Sequence, residues 1–189
     1  MKILVIDNYD SFTYNIVSYL KEISGQDISV FRNDKISLEE IGAYDKIVLS
    51  PGPGVPVDAG ISIGLIKRWA PEKSILGICL GCQAIAESYG GEILNLDNVY
   101  HGVATYMKVT DENESLFAGV PASFTAGRYH SWVINEKKLP AEINITARDG
   151  EGMIMAVSHA DYDLKGVQFH PESVLTRYGK QMLTNWLGY

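Results

Sequence analysis

Residues 74–88 read Ser74-Ile75-Leu76-Gly77-Ile78-Cys79-Leu80-Gly81-Cys82-Gln83-Ala84-Ile85-Ala86-Glu87-Ser88. The small and apolar residues that lead into Cys79 read as a buried strand, and residues 83–87 read as a helix. Between them Cys79 is bracketed by Gly77 and Gly81. This is the nucleophile-elbow pattern, glycine two positions either side of the nucleophile, with cysteine in place of serine. The sharp strand-to-helix turn lifts the thiol off the sheet, and the glycines make room for it. The helix start adds unpaired N–H groups and positive potential, which favour thiolate over thiol. The stretch predicts acyl chemistry at Cys79.

Upstream, strands and helices alternate. Residues 3–7 are a continuous apolar run, as for a strand buried on both faces. Phe12, Ile16, Val17, Tyr19, Leu20 and Ile23 recur at helical spacing, with Asp10 or Ser11 as N-cap and Gly25 as stop. Residues 28–31 read as a second strand. Ser37 and Glu40 have the spacing of a capping box. Residues 46–50 read as a third strand, 59–69 as a helix and 75–78 as the strand into Cys79. This rhythm predicts an α/β fold with a doubly wound, mostly parallel central sheet and helices on both faces. From about Glu92 shorter β-like stretches follow, at 106–109, 123–126, 143–147, 154–157 and 166–169. They predict a small mixed or antiparallel extension, closed by a helix over 176–187. Ligands in such sheets bind at the carboxyl ends of strands. Asn8, the Pro51-Gly52-Pro53-Gly54 turn and Cys79 all fall at such ends.

Composition narrows the class. The 189 residues are 46% apolar, enough for one sizeable core and against disorder. A net charge of −7 argues against a nucleic-acid or anionic-membrane surface. No apolar run approaches the roughly 18 residues of a membrane span. The chain enters its first strand at once, without a signal-like segment. The two cysteines, Cys79 and Cys82, are too close in sequence for a structural disulfide framework. These features point to a reducing cytoplasm.

A cysteine nucleophile needs a base and a group to orient it. Of His101, His130, His159 and His170, the last lies just past an apolar strand and is followed by Pro171 and Glu172. Pro171 favours extended backbone at His170. Positions 170 and 172 then share a face, so Glu172 can accept a hydrogen bond from the imidazole. An ordinary strand-end turn explains the same three residues equally well. His130, before Ser131 and Trp132, reads as a ligand-pocket residue or, better, as a satisfied surface histidine, and nothing local makes His101 or His159 more than structural. The Gly52 and Gly54 turn reads either as a plain turn or as backbone N–H groups meeting an oxyanion together with Leu80 N–H. Cys79 and Cys82 also form a C-x-x-C, so a redox pair competes with the elbow. A zinc site lacks a second close ligand pair.

Residues 77–84, 51–54 and 166–173 together resemble the class I (triad) glutamine amidotransferase family. The resemblance spans the chain in the right order. The opening Asp7-Asn8-Tyr9-Asp10-Ser11-Phe12-Thr13-Tyr14-Asn15, and Phe169-His170-Pro171-Glu172-Ser173, look like the glutaminase subunits of anthranilate and aminodeoxychorismate (para-aminobenzoate) synthases. The resemblance implies one amidotransferase domain over residues 1–189. It implies Cys79 as nucleophile, His170 as base and acid, and Glu172 as its orienter. It places L-glutamine against Gly52, Pro53, Gly54, Leu80, Gln83 and the backbone of Ser131 and Trp132. It implies no metal and no cofactor, and a separate chorismate-binding synthase subunit that receives ammonia. Three positions depart from the pattern. Cys82 stands where histidine is usual, Trp132 where leucine is common, and no lysine follows His101-Gly102. A glutaminase of GMP or carbamoyl-phosphate synthase is the alternative branch, disfavoured by residues 7–15. A binding module that has lost turnover is disfavoured by the intact Cys79, His170 and Glu172.

Overall fold

Ile3, Leu4, Val5 and Ile6 are all buried because the strand they form has a core on each side. Ile3 and Val5 join one cluster, Leu4 and Ile6 the other. This alternation is what a two-period strand requires when both faces are covered. The structure is a computed structural model that describes residues 1–189. The strand β1 (Ile3–Asp7) is followed by α1 (Thr13–Ser24), β2 (Ile28–Arg32), α2 (Leu38–Ile41), β3 (Lys46–Leu49), α3 (Ser62–Trp69), β4 (Ser74–Ile78) and α4 (Leu80–Ser88). The second half holds β5 (Ile93–Asn95), β6 (Val103–Val109), β7 (Ser123–Arg128), β8 (Trp132–Ile134), β9 (Ile143–Asp149), β10 (Ile154–His159), β11 (Leu164–Val167) and α5 (Gly179–Leu187).

Nine strands make one sheet in the order β2-β1-β3-β4-β11-β10-β9-β6-β7. The pairs from β2 through β11 are parallel, as expected for the doubly wound half. The pairs from β11 through β7 are antiparallel and continue the same sheet. The predicted extension is therefore an outgrowth of the main sheet. A separate two-stranded pair, β5 with β8, was not expected from the sequence. One core lies under α1 and α5, where Ile16, Leu20, Met182, Leu183, Trp186 and Leu187 pack on Ile3, Val5, Val48 and Leu76. The opposite core gathers Leu65, Ile66, Trp69, Ile85 and Ala86 on Leu4, Ile47 and Ile75. Each such aliphatic side chain contributes about 1.5–3 kcal/mol on full burial.

Helix ends follow local chemistry. Gly25 closes α1 in the left-handed conformation, and Ser37 with Glu40 forms the reciprocal capping box on α2. Asp10 and Ser11 do not cap α1. The N-cap is Phe12, and Asp10 Oδ2 instead accepts from Phe12 N at 2.7 Å. The helix expected from Ala59 starts at Ser62, because Pro56–Asp58 takes a 3-10 turn and Gly60 has a φ of 55°. The helix expected from Thr176 starts at Gly179, because the Thr176 hydroxyl is engaged elsewhere, donating to His170 O at 2.6 Å. The strand read at 166–169 ends at Val167; Gln168 and Phe169 bend before a single bridge between His170 and Gly127.

Candidate active site

The carboxyl ends of β1, β3, β4 and β11 lie side by side in the sheet. They deliver Asn8, the glycine turn, Cys79 and His170 to one edge. Cys79 joins β4 to α4 with φ 52° and ψ −101°, a backbone conformation that a side-chain-bearing residue adopts at a cost of about 1–3 kcal/mol. Surroundings hold it there. Cys79 N donates to Val167 O at 2.8 Å. A Cβ on Gly77 would stand 2.4 Å from the Gly81 backbone, and one on Gly81 would stand 2.5 Å from Leu49 O. Both bracketing glycines are thus demanded by the closeness of strand, elbow and helix. Leu80, the first residue of α4, has an N–H with no intrahelical partner.

His170 and Glu172 do meet, but through a turn rather than the extended segment that the spacing predicted: Pro171 and Glu172 are turn residues, and Ser173 N donates to His170 O at 3.2 Å. His170 Nδ1 lies 2.7 Å from Glu172 Oε1, and both side chains are buried. A carboxylate only accepts, so Nδ1 carries the proton. Nε2 is buried and has no hydrogen-bond partner, the Cys79 sulfur included. Burial pushes the imidazole down, but the Cys79 sulfur and then Glu172 outweigh it and raise His170 to about 10. The imidazolium is therefore the form that the site stabilises. The backbone of His170 is clamped as well: its N–H donates to Gly127 O, and its carbonyl accepts from Thr176. The Tyr129 ring stands edge-on to the imidazole at 4.8 Å, and Phe12 at 5.7 Å.

The glycine turn is held from below by Asn8, which is buried. Asn8 N donates to Ser50 Oγ, and Asn8 Nδ2 to Ser50 O, both at 2.8 Å. Asn8 Oδ1 accepts from Asn33 Nδ2 at 2.9 Å and from Ser62 Oγ at 3.2 Å. A Cβ on Gly52 would stand 2.5 Å from Asn8 O, so the turn rests directly on this hub.

All seven residues assigned to glutamine, Gly52, Pro53, Gly54, Leu80, Gln83, Ser131 and Trp132, line one cavity with Cys79. Its volume, about 210 Å³, is below the roughly 300–1,000 Å³ of pockets for drug-sized ligands, so it suits a small metabolite. Val99, Tyr100, His101, Tyr129 and His130 complete the wall; of these only His130 was weighed for a pocket role from sequence. The unexpected β5–β8 pair sets this wall: Asn95 pairs with Trp132, and Leu96 N donates to Ser131 O at 2.7 Å. The Trp132 carbonyl accepts from Gln83 Nε2 at 2.9 Å, a role that leucine in its place would keep. A second cavity meets the first at Cys79. It opens past Tyr9, Asp10, Ser11 and Phe12, and His170 lines it.

Cys82 is fully enclosed, and burial followed by the charge of Cys79 pushes its thiol well up. Its sulfur packs against Gly166, where a Cβ would approach it to 2.8 Å. Both cysteines are free thiols, and Cys82 behaves as a small packing residue. His159 accepts from Asp161 N and Tyr162 N and shapes a turn. His130 accepts at Nε2 from Arg128 Nε at 3.1 Å. Burial, then the Arg128 charge, pushes it down to about 3, so it is neutral. Arg128 in turn meets Asp149 at 2.7 Å, and both side chains are buried. No group of three or more His, Cys, Asp and Glu side chains is gathered to hold a metal ion. No helix is long and apolar enough to cross a membrane.

The geometry accords with comparisons to known proteins. The family model Glutamine amidotransferase class-I matches residues 4–188. The chain is 43% identical to aminodeoxychorismate/anthranilate synthase component 2 of Bacillus subtilis, over 98% of this chain and 95% of that one. It is 44% identical to the bifunctional protein TrpGD of Thermotoga maritima, over 98% of this chain but only 32% of that longer one. Among solved structures, a Thermoplasma acidophilum protein provisionally assigned as a GMP synthase subunit superposes with a TM-score of 0.87 at 28% identity, covering 100% of this chain and 92% of the other.

Proposed function

The chain belongs to the class I glutamine amidotransferase family, and from there we propose that residues 1–189 act as one glutaminase domain that supplies ammonia to a separate chorismate-using synthase subunit. The single observation that carries the reading is the buried His170–Glu172 pair, which lines one cavity with Cys79 at the strand-to-helix turn. The Cys79 thiolate attacks the side-chain carboxamide carbon of L-glutamine. The C=O electrons move onto oxygen, which meets N–H groups of Leu80 and the glycine turn at 52–54. Such a donor is worth about 3 kcal/mol in the transition state. Collapse of the adduct expels the amine, and the His170 imidazolium protonates it at Nε2, releasing ammonia and leaving a glutamyl thioester. Neutral His170 then takes a proton from water as it attacks the thioester. Glutamate leaves, and the thiolate–imidazolium pair is restored. No step needs a cofactor.

The higher identity to the synthase component 2, over nearly the whole of both chains, favours the chorismate-using branch over the GMP-synthase branch. The partner subunit would sit over the cavity that opens past residues 9–12, on the His170 side of the sulfur. Two free thiols suit a reducing cytoplasm. The test mixes the chain with candidate chorismate-using subunits, chorismate and either glutamine or high ammonium. Product formation with glutamine should require this chain, and ammonium should bypass it. If ammonium fails to bypass it, ammonia supply is not its role.

A further inference from the structure

Cys79 has a polar neighbour besides the imidazole. Gln168 Nε2 stands 3.6 Å from Cys79 Sγ, and the Gln168 residue is fully buried. The other end of its amide belongs to a row of hydrogen bonds running under the glutamine cavity. Gln168 Oε1 accepts from Gln83 Nε2 at 3.2 Å. The same Gln83 nitrogen donates to Trp132 O. That carbonyl also lies 3.0 Å from His130 Nδ1, and His130 Nε2 faces Arg128 Nε. Asp149 anchors the row by pairing with Arg128.

The direction of every bond in the row follows from its members. A guanidinium only donates and a backbone carbonyl only accepts. His130 Nε2, facing Arg128, is therefore bare, and Nδ1 carries the hydrogen toward Trp132 O. Trp132 O requires the NH2 group of Gln83. That NH2 group faces Gln168 as well, and requires its oxygen. The Gln168 NH2 group is left for the sulfur. Turning either amide over would set donor against donor or acceptor against acceptor in a buried site, where no water makes good the lost bond.

We infer that Gln168 is a sulfur-binding residue: it donates an N–H to Cys79 Sγ and holds it as an acceptor, the thiolate, with the row from Arg128 to Gln83 fixing the direction of that bond. Gln168 touches Cys79 directly, and His170 lines one cavity with it. The Gln168 amide is thus the side-chain donor already in place on the sulfur, apart from the imidazolium of His170, whose Nε2 is unpaired. The amide keeps its hydrogen when His170 gives up its proton to ammonia. It remains to hold the sulfur as leaving group when water cleaves the thioester. This rests on the reading of Cys79 as nucleophile.

The test is the pH dependence of Cys79 alkylation by iodoacetamide in the native chain, in Gln168→Met and in Gln168→Glu. A hydrogen bond to the charged form lowers a thiol's pKa. The Met variant should move the alkylation midpoint up by about one pH unit, slowing the reaction about tenfold below the midpoint. The Glu variant should move it further. In glutamine hydrolysis kcat should fall while KM changes little. Midpoints that coincide in all three folded proteins would overturn the proposal. Should the variants fail to fold, the side-chain amide 15N signal of Gln168 in the native chain should shift as Cys79 titrates and stay fixed in Cys79→Ala; a signal that ignores the titration overturns it. Loss of glutamine hydrolysis in Cys79→Ala tests the nucleophile itself, independently of Gln168.

Discussion

His170 Nδ1 donates to Glu172 Oε1 at 2.7 Å across the intervening Pro171, and the carboxylate is sealed from solvent. The bond fixes which imidazole nitrogen faces the sulfur. Glu172→Gln keeps the shape but lets the amide present either end, so the wrong tautomer becomes accessible. We expect kcat for glutamine hydrolysis to fall about 10²–10⁴-fold, with KM changed far less. Steady-state kinetics on the purified variant checks this; a change confined to KM would count against the orienting role.

The same imidazole makes stability depend on pH. Its folded pKa of about 10 exceeds the ordinary value of 6.5. Above 6.5 the folded chain therefore binds more protons than the unfolded one. The contribution is complete below 6.5 and fades as pH rises through about 10. Urea melts from about pH 6 to about pH 10 should show the native chain losing stability more steeply than His170→Gln. Parallel profiles would refute the linkage.

The two cysteines should separate cleanly. Cys79→Ala should abolish glutamine hydrolysis, whereas Cys82→Ala should keep most of it. The second change removes a fully enclosed sulfur from beside Gly166, a loss of about 1 kcal/mol or somewhat more. Activity and thermal melting of each variant decide the point. Equal loss of activity in both would revive the C-x-x-C reading.

Asn8→Ala should loosen the glycine turn without touching the triad. It strips side-chain partners from Ser50 O, Asn33 and Ser62 in a buried setting while keeping the backbone bond to Ser50 Oγ. We expect destabilisation of about 2–4 kcal/mol and a fall in kcat, because the oxyanion donors lose their seat. Denaturant melts beside steady-state kinetics measure both. Normal turnover in a destabilised variant would mean that the hub serves folding alone.

The parts of this site legible in the sequence are those set by short-range geometry. Gly77 and Gly81 announce the elbow because strand and helix touch there, and no larger residue fits. Glu172 is legible beside His170, although a turn closed by Ser173 N on His170 O brings the two together in place of the expected extended backbone. Gln168 is not legible, because a glutamine just past an apolar strand carries no chemistry until its neighbours are known. The row through Arg128 and His130 depends on contacts between β7, the turn after it and β9, which no local pattern encodes. The short strands β5 and β8 have too few residues to show a period, yet they set the wall that presents Ser131 and Trp132. The starts of α3 and α5 were misplaced for a like reason: Gly60 and Thr176 serve other contacts than the helix that follows each.

The place of β11 between β4 and β10 has a consequence for synthesis on the ribosome. The nucleophile emerges early, on a strand whose neighbour is still untranslated. His170 follows only after β11, which must slot between β4 and β10. A nascent polypeptide that has not yet reached β11 therefore holds Cys79 without its imidazole, and the two meet only once that strand closes the gap.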